Sequence, residues 1–254
     1  MPTPSVINNW RYSDAIRRSA WDQKYFADTF QTQPITAKVA GGAATGTAGD
    51  NNVLFTRFNA FEWWVIGTQT ILAPSLDAFG LNLVQDATAG DGLELDMGIT
   101  AQCPAAFIIG TDAAFFMRCE FKVQDASGTN PLIMGFRKIA AFDATLANYT
   151  DFATIGIVGT SDPNLIKIQT QLATGGVVAT DTTQTWADGA VHSLTVNVSA
   201  AGVVTYKVDD AAPTVTAAYT FANAATVIPF IRFTNAADVT TQAAIDSFQV
   251  GYQS

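Results

Sequence analysis

Two carboxylates one residue apart raise the first chemical question. In Glu94-Leu95-Asp96, strand alternation puts both acids on one face. Such a pair could serve a glycosidic bond as nucleophile and orienting acid, provided a second carboxylic acid is positioned beside them. The chain has only three glutamates, Glu62, Glu94 and Glu120, and Glu120 falls on a different predicted strand. The expectation is therefore a solvated strand face, not a catalytic pair. His192 is the only histidine, and its period-two company of Leu194, Val196 and Val198 makes it a strand-end residue of an apolar face, hydrogen-bonded to nearby backbone. A Ser-His-Asp triad lacks its nucleophile elbow, since Gly159-Thr-Ser161-Asp-Pro163 reads as a turn. Cys103 and Cys119 lack zinc spacing and read as small core residues. Gly41-Gly-Ala-Ala-Thr-Gly46 is neither a phosphate loop nor a dinucleotide fingerprint. Asp86, Asp91 and Asp50-Asn-Asn52 are rich in oxygen but do not follow the spacing of a calcium loop. No metal or cofactor is expected, and the chain reads as a non-enzyme.

The elements that must position these residues are strands. Phe115, Met117, Cys119, Phe121 and Val123 alternate with Arg118, Glu120 and Lys122, which predicts a strand with one buried and one wet face. Leu93, Leu95 and Met97 alternate with Glu94 and Asp96 in the same way. Further strands are predicted at 53–58, 61–66, 132–139, 152–158, 228–233 and 246–252. Ile166, Ile168 and Leu172 line one more, and Val204, Tyr206 and Val208 another. Turn-rich segments separate them and no βαβ alternation appears, so the fold class is all-β, an antiparallel two-sheet sandwich. Three zones follow: 1–39 an N-terminal arm, with a helix from about Asp14 to Ala27; 40–52 a Gly/Ala/Thr-rich linker or loop; 53–254 the sandwich.

The segment Trp186-Ala-Asp-Gly-Ala-Val-His-Ser-Leu-Thr-Val-Asn-Val-Ser-Ala-Ala-Gly-Val-Val-Thr-Tyr-Lys-Val-Asp-Asp210 resembles a hairpin of the concanavalin A-like and laminin G-like jelly-roll superfamily. Ile245-Asp-Ser-Phe-Gln-Val-Gly-Tyr252 resembles that group's closing strand. The resemblance implies a jelly roll. It departs at Val191, where an aromatic is common, and at Asp210, where a turn glycine is common. Glycosidases of this fold carry a motif resembling E-x-D-x-x-E. Glu94 and Asp96 match its first two places and Ile99 stands at the third, so the resemblance does not imply catalysis.

Composition narrows the function further. The chain of 254 residues has a net charge of −9 and only 14% charged residues, against 48% hydrophobic ones. An acidic surface disfavours nucleic acid and anionic lipid as partners. The first residues read as no signal peptide and the most apolar window is too short for a bilayer, so synthesis in a cytoplasm is expected. Against this acidic body the arm is basic and aromatic, with Trp10, Arg11, Tyr12, Arg17, Arg18, Trp21, Tyr25 and Phe26 as candidate partner-binding residues. Low-charge, Ala/Thr/Gly-rich strands resemble those of tailed-phage accessory proteins. That resemblance implies a capsid decoration (cement) protein of a virion, assembled in the host cytoplasm and bound to the major capsid protein or another virion subunit. It further implies a homo-oligomer, with a trimer as its usual form. The alternative is a carbohydrate-binding module, stacking sugar on Trp63, Trp64 or Trp186.

Overall fold

A computed structural model describes residues 61–68, 76, 78–83, 88–97, 106–127, 129, 131–158, 164–173, 175–236 and 243–253, together with the backbone alone of 25–29, 35–38, 51–55, 60, 75 and 130. The strands are β1 (Tyr25–Thr29), β2 (Ile35–Lys38), β3 (Asn51–Phe55), β4 (Ala60–Ile66), β5 (Ser75–Leu76), β6 (Leu81–Asn82), β7 (Gly92–Asp96), β8 (Phe107–Ile108), β9 (Phe115–Val123) and β10 (Thr129–Lys138). They continue with β11 (Phe152–Ile157), β12 (Leu165–Gln171), β13 (Val178–Thr185), β14 (Val191–Val198), β15 (Val204–Val208), β16 (Thr226–Asn235) and β17 (Ala243–Tyr252). Among the described residues the only helical element is a 3-10 turn at Leu146–Asn148, and no helix is long and apolar enough to cross a membrane.

The strands form two antiparallel sheets. One runs β15-β14-β9-β17-β6-β5, with β1 sharing the outer edge of β17. The other runs β13-β12-β11-β10-β16-β7-β4-β3-β2, with β8 beside β16. In β16, β8 pairs at 226–227 and β7 at 230–234. Pro229 falls in the gap between them, where a missing N–H costs no ladder bond on that side.

Alternation builds the core. In β9 the pattern of buried and half-buried residues is strict, and Phe115, Met117, Cys119, Phe121 and Val123 all point inward. Leu194, Val196 and Val198 of β14 and Val204, Tyr206 and Val208 of β15 extend that layer, as the hairpin pattern predicts. Facing it are Leu132, Met134 and Phe136 of β10, Ile231 and Phe233 of β16, and Leu93 and Leu95 of β7. Phe107 stacks on Phe115 with centroids 4.2 Å apart, and both pack edge-on to Phe136. The β14–β15 turn uses Gly202 at φ 86, a conformation that costs glycine little.

The structure corrects several expectations. Leu172 lies beyond the end of β12 and is 57% exposed, so it is not part of that strand's buried side. The Thr-rich β13 follows no apolar alternation; it is an edge strand with an exposed, polar surface, so burial leaves no pattern in it. Tyr25–Ala27, at the end of the expected helix, are extended and paired with β17, and the rest of that helix lies outside the described residues. Asn51 and Asn52, expected in the linker, begin β3.

Trp186 fills the core beside the β14 hairpin. It is fully buried, its Nε1–H donates to the Ala190 carbonyl at 3.1 Å, and its ring meets His192 edge-on. Trp186→Ala should cost about 3–5 kcal/mol of stability, read from urea unfolding; a loss well under ~1 kcal/mol would mean the site collapses around the cavity or is less packed than described.

Candidate functional site

The outer face of the ten-stranded sheet carries the chemistry. Alternation places Glu62, Trp64 and Ile66 of β4 on it, beside Glu94 and Asp96 of β7 and Arg232 and Thr234 of β16. Register sets Glu62 opposite Asp96, and Glu94 between Trp64 on one side and Arg232 on the other. Arg137 of β10 reaches across the Phe230 ring to the same place.

These groups form a closed ionic cluster. Arg137 Nη2 lies 2.7 Å from Asp96 Oδ2 and 3.2 Å from Glu94 Oε1. Arg232 Nη1 lies 2.9 Å from Glu94 Oε2. The Tyr149 hydroxyl donates to Glu94 Oε1 at 2.7 Å. Glu94, Asp96 and Arg137 are wholly buried and Arg232 is 3% exposed.

The cover is the β10–β11 connection, residues 139–151, which lies across this face as a strap. Its carbonyls are the acceptors that the arginines need. Arg137 Nη1 donates to Ala140 O at 3.1 Å, and Arg232 donates to Asp143 O at 2.9 Å and to Ala144 O. The Asp143 N–H donates to the Tyr149 hydroxyl at 3.0 Å, and Gln171 Nε2 donates to Ala147 O. Phe142 stacks on Trp64 with centroids 5.1 Å apart and planes 4° apart. Beneath the strap a small apolar cluster forms from Ile133, Tyr149, Phe152, Val158 and Phe230.

Protonation follows from this burial. Asp96 is held well above the ordinary aspartate range, first by burial and then by the neighbouring Glu94, with Arg137 opposing both. Burial also raises Glu62, partly offset by Arg137. Burial, then Glu94, raises Tyr149. Arg137 stays charged: burial works to lower it, and Asp96 and Glu94 outweigh that.

The expectation of a solvated Glu94–Asp96 face is therefore wrong. Both acids sit under the strap, because 139–151 supplies a cover and two arginines supply the countercharge. Glu62, one of the three glutamates weighed in the sequence but not placed beside the pair, stands opposite Asp96 and brings a third carboxylate there. Arg137, Arg232 and Tyr149 were missed as well. The signal for the arginines was their place in apolar strands, Arg137 directly after Ile133–Phe136 and Arg232 within Val227–Phe233, since a charge on a buried strand needs a partner.

The other candidates separate clearly. Trp63 (1% exposed) and Trp186 (0%) are core residues and present no ring face to a sugar, which corrects their candidacy. Trp64 is on the outer face and half-buried, with one ring face against Phe142. His192 lies on the inward side as expected, but its partner is a carboxylate: Nδ1 is 2.7 Å from Asp209 Oδ2, which the left-handed turn at Asp209 brings round. Cys119 is buried, and burial pushes its thiol up. Asp91 Oδ1 accepts the Thr68 N–H at 3.0 Å. Among the described residues no group of three or more His, Cys, Asp and Glu side chains is arranged to hold a metal ion. Trp10, Arg11, Tyr12, Arg17, Arg18, Trp21, Ser161, Cys103, Asp50 and Asp86 lie outside the described residues, and only the backbone of Tyr25 and Phe26 is described.

Beside the strap, a groove of about 380 Å³ crosses the sheet from β12 to β4. Pro131, Leu146 and Val158 give it apolar walls, and Gln169, Arg232 and Thr234 give it polar groups. Gln169 Oε1 is buried and accepts no hydrogen bond. Arg232 spends three of its five N–H groups on Glu94, Asp143 O and Ala144 O, which leaves two.

Removing Arg137 tests the cluster. Arg137→Met should cost about 3–5 kcal/mol, because Asp96 loses its countercharge in a buried place. The pH dependence has a definite sign. A folded-state value raised above the unfolded one means that the native chain binds the proton better, so this contribution is full below about pH 4 and is lost as pH rises through the raised value. Unfolding measured at about pH 5 and about pH 8 should show a smaller decline with rising pH for Asp96→Asn than for the parent chain.

Solved structures similar to this chain include three with sugar-related names. The carbohydrate recognition domain of Emp46p, potassium-bound, aligns with TM-score 0.53 at 8% identity, covering 75% of this chain and 88% of that one. The exoplasmic/lumenal domain of VIP36, bound to Ca2+ and Man3GlcNAc, aligns with TM-score 0.47 at 14% identity over 74% and 82%. A non-specific endo-beta-1,3(4)-glucanase aligns with TM-score 0.49 at 13% identity over 91% and 95%. No protein-family model matches the chain, and no curated protein matches it in sequence. At these identities the likeness speaks for fold alone: the chain is an antiparallel two-sheet β-sandwich similar in fold to the Emp46p domain.

Proposed function

We propose that the chain is a carbohydrate-binding, lectin-like module whose site is the groove beside the strap. The observation that carries this reading is the groove itself, where Gln169, Arg232 and Thr234 stand among the apolar walls of Pro131, Leu146 and Val158. A sugar meets both demands, with hydroxyls for the polar groups and a C–H face for Pro131, Leu146 and Val158. The groove volume falls in the roughly 300–1,000 Å³ range of small-molecule sites. Binding without hydrolysis fits the sealed carboxylates: Glu94 already takes hydrogen bonds from Tyr149 and Arg232 and an ion pair from Arg137, which leaves it no free nucleophilic face. A second reading, a structural virion protein held to a capsid subunit, is favoured by the basic, aromatic segment ahead of an acidic body, from Trp10 to Trp21.

An oligosaccharide array probed with the whole chain tests the first reading. Retention on sugar is expected, and Ala144→Trp, at an exposed position on the groove wall, should weaken it by about tenfold or more without lowering the melting temperature. No retention on any sugar would sink the reading. Co-sedimentation with virus particles, insensitive to competing sugar and lost with residues 1–24, would move the assignment to the second.

A further inference from the structure

We propose that Asp96 and Glu62 share one resident proton, and that this proton latches the strap over the sheet. The inference stands apart from the glycan-binding reading. Three carboxylates meet two guanidinium groups on this face: Glu62 of β4 with Glu94 and Asp96 of β7, against Arg137 of β10 and Arg232 of β16. One negative charge is left over under the strap. A buried surplus charge is neutralised in preference to being kept, and a proton on one carboxyl does this.

Geometry says where the proton sits. Both Glu94 oxygens take donors, Oε1 from Tyr149 and Oε2 from Arg232, and Asp96 Oδ2 takes Arg137 at 2.7 Å. Asp96 Oδ1 and Glu62 Oε2 are each buried without a hydrogen-bond partner. Register sets the two residues directly opposite on one face, where Cβ atoms lie about 4.5–5.5 Å apart. Two acceptors cannot satisfy each other. One proton between them makes a donor and an acceptor, and it belongs to the pair rather than to either residue.

The surrounding charges do not supply the missing cation. β3, on the other side of β4, has no titratable residue in Asn51–Phe55. The strap brings Asp143, whose carboxylate accepts from the Thr145 N–H and Asn148 Nδ2, and Asp151, which has Lys138 3.9 Å away. Lys167 is on the outer face in the row of Arg232, but Gly156 and Ile133 stand between them, three strand spacings of about 4.8 Å each, and Asp96 is one strand further. Asp181 stands opposite Lys167 on its other side. Arg57, between β3 and β4, lies outside the described residues.

Opening the strap returns both acids to water and releases the proton to it. Under the strap both are raised, first by burial, with Trp64 and Arg137 opposing at Glu62 and Glu94 adding to the rise at Asp96. The closed face thus binds one proton more than the open one, so closure is strongest at low pH and weakens as pH rises through the raised value. Ala144 and Leu146 of the strap wall the groove, so the wall loosens with it.

The test is hydrogen exchange of the intact chain, read over residues 139–151 and corrected for the intrinsic rate at each pH. Between the ordinary carboxylate range and the raised value, the parent strap should lose about tenfold in protection per pH unit. Asp96→Asn and Glu62→Gln each remove the surplus acid and supply an amide donor, so protection in both should stay flat with pH. A misfolded variant would lose protection at every pH and cannot imitate this. Infrared spectra at about pH 6, where exposed carboxylates are ionised, should show a protonated-carboxyl band in the parent that both variants lack. No band in the parent, or variants that keep the parent's slope, would overturn the proposal. A band that survives Glu62→Gln would place the proton on Asp96 alone and overturn the sharing.

Discussion

The outer face of the ten-stranded sheet depends on two guanidinium groups placed under a strap. Taking four ionised or ionisable groups out of water costs several kcal/mol per ion, and only close pairing with every hydrogen bond placed offsets it. Arg137 and Arg232 offset most of it by acting in two directions at once, although Asp96 Oδ1 and the Arg137 Nε–H are buried without a partner. Toward the sheet they pair with Glu94 and Asp96; toward the strap they donate to the carbonyls of Ala140, Asp143 and Ala144. The strap in turn keeps water from the ions and sends down Tyr149, whose ring lies 4.4 Å from the Arg137 guanidinium carbon and whose hydroxyl reaches Glu94. Neither half is stable alone. Without the strap the arginines lose their acceptors, and without the arginines the strap's carbonyls and the carboxylates are left unpaired.

That mutual dependence fixes the groove. Ala144 and Leu146 of the strap form part of its wall, and Arg232 belongs both to the cluster and to the groove. The carbonyls bound to Arg232 thus set where Leu146 stands relative to Gln169. Rigid ligand sites are built this way, with the contacting groups locked by a second layer of hydrogen bonds.

Much of the sandwich was legible because burial on one face writes itself into alternation. Phe115–Val123 gave its strand and its inward residues, and the hairpin through Gly202 gave its turn. The same rule misled at Glu94 and Asp96. Alternation separates two faces, but it does not say what covers the second one. Here the cover comes from residues 139–151 and the countercharge from Arg137 and Arg232, contacts 41 and 138 residues away along the chain. The tryptophans show the same limit. Trp63 and Trp64 are adjacent, so one must face in and the other out, yet nothing local distinguishes them until β4 is set beside β7. The edge strand β13 left no trace because its exposed side chains had no burial to record.

The placement of the strap also bears on hydrolysis against binding. Strand carboxylates can act on a sugar only if the ligand lies over them and water can reach the reacting bond. In this chain the strap lies over Glu94, reached by its Tyr149 hydroxyl, and the groove runs beside the strap from β12 to β4. The cluster holds Arg232 and the strap in place, and the burial that makes Asp96 reluctant to ionise also closes it off from solvent. Opening the face far enough to free those acids would break the carbonyl contacts of both arginines together, which ties exposure of the carboxylates to loss of the groove wall.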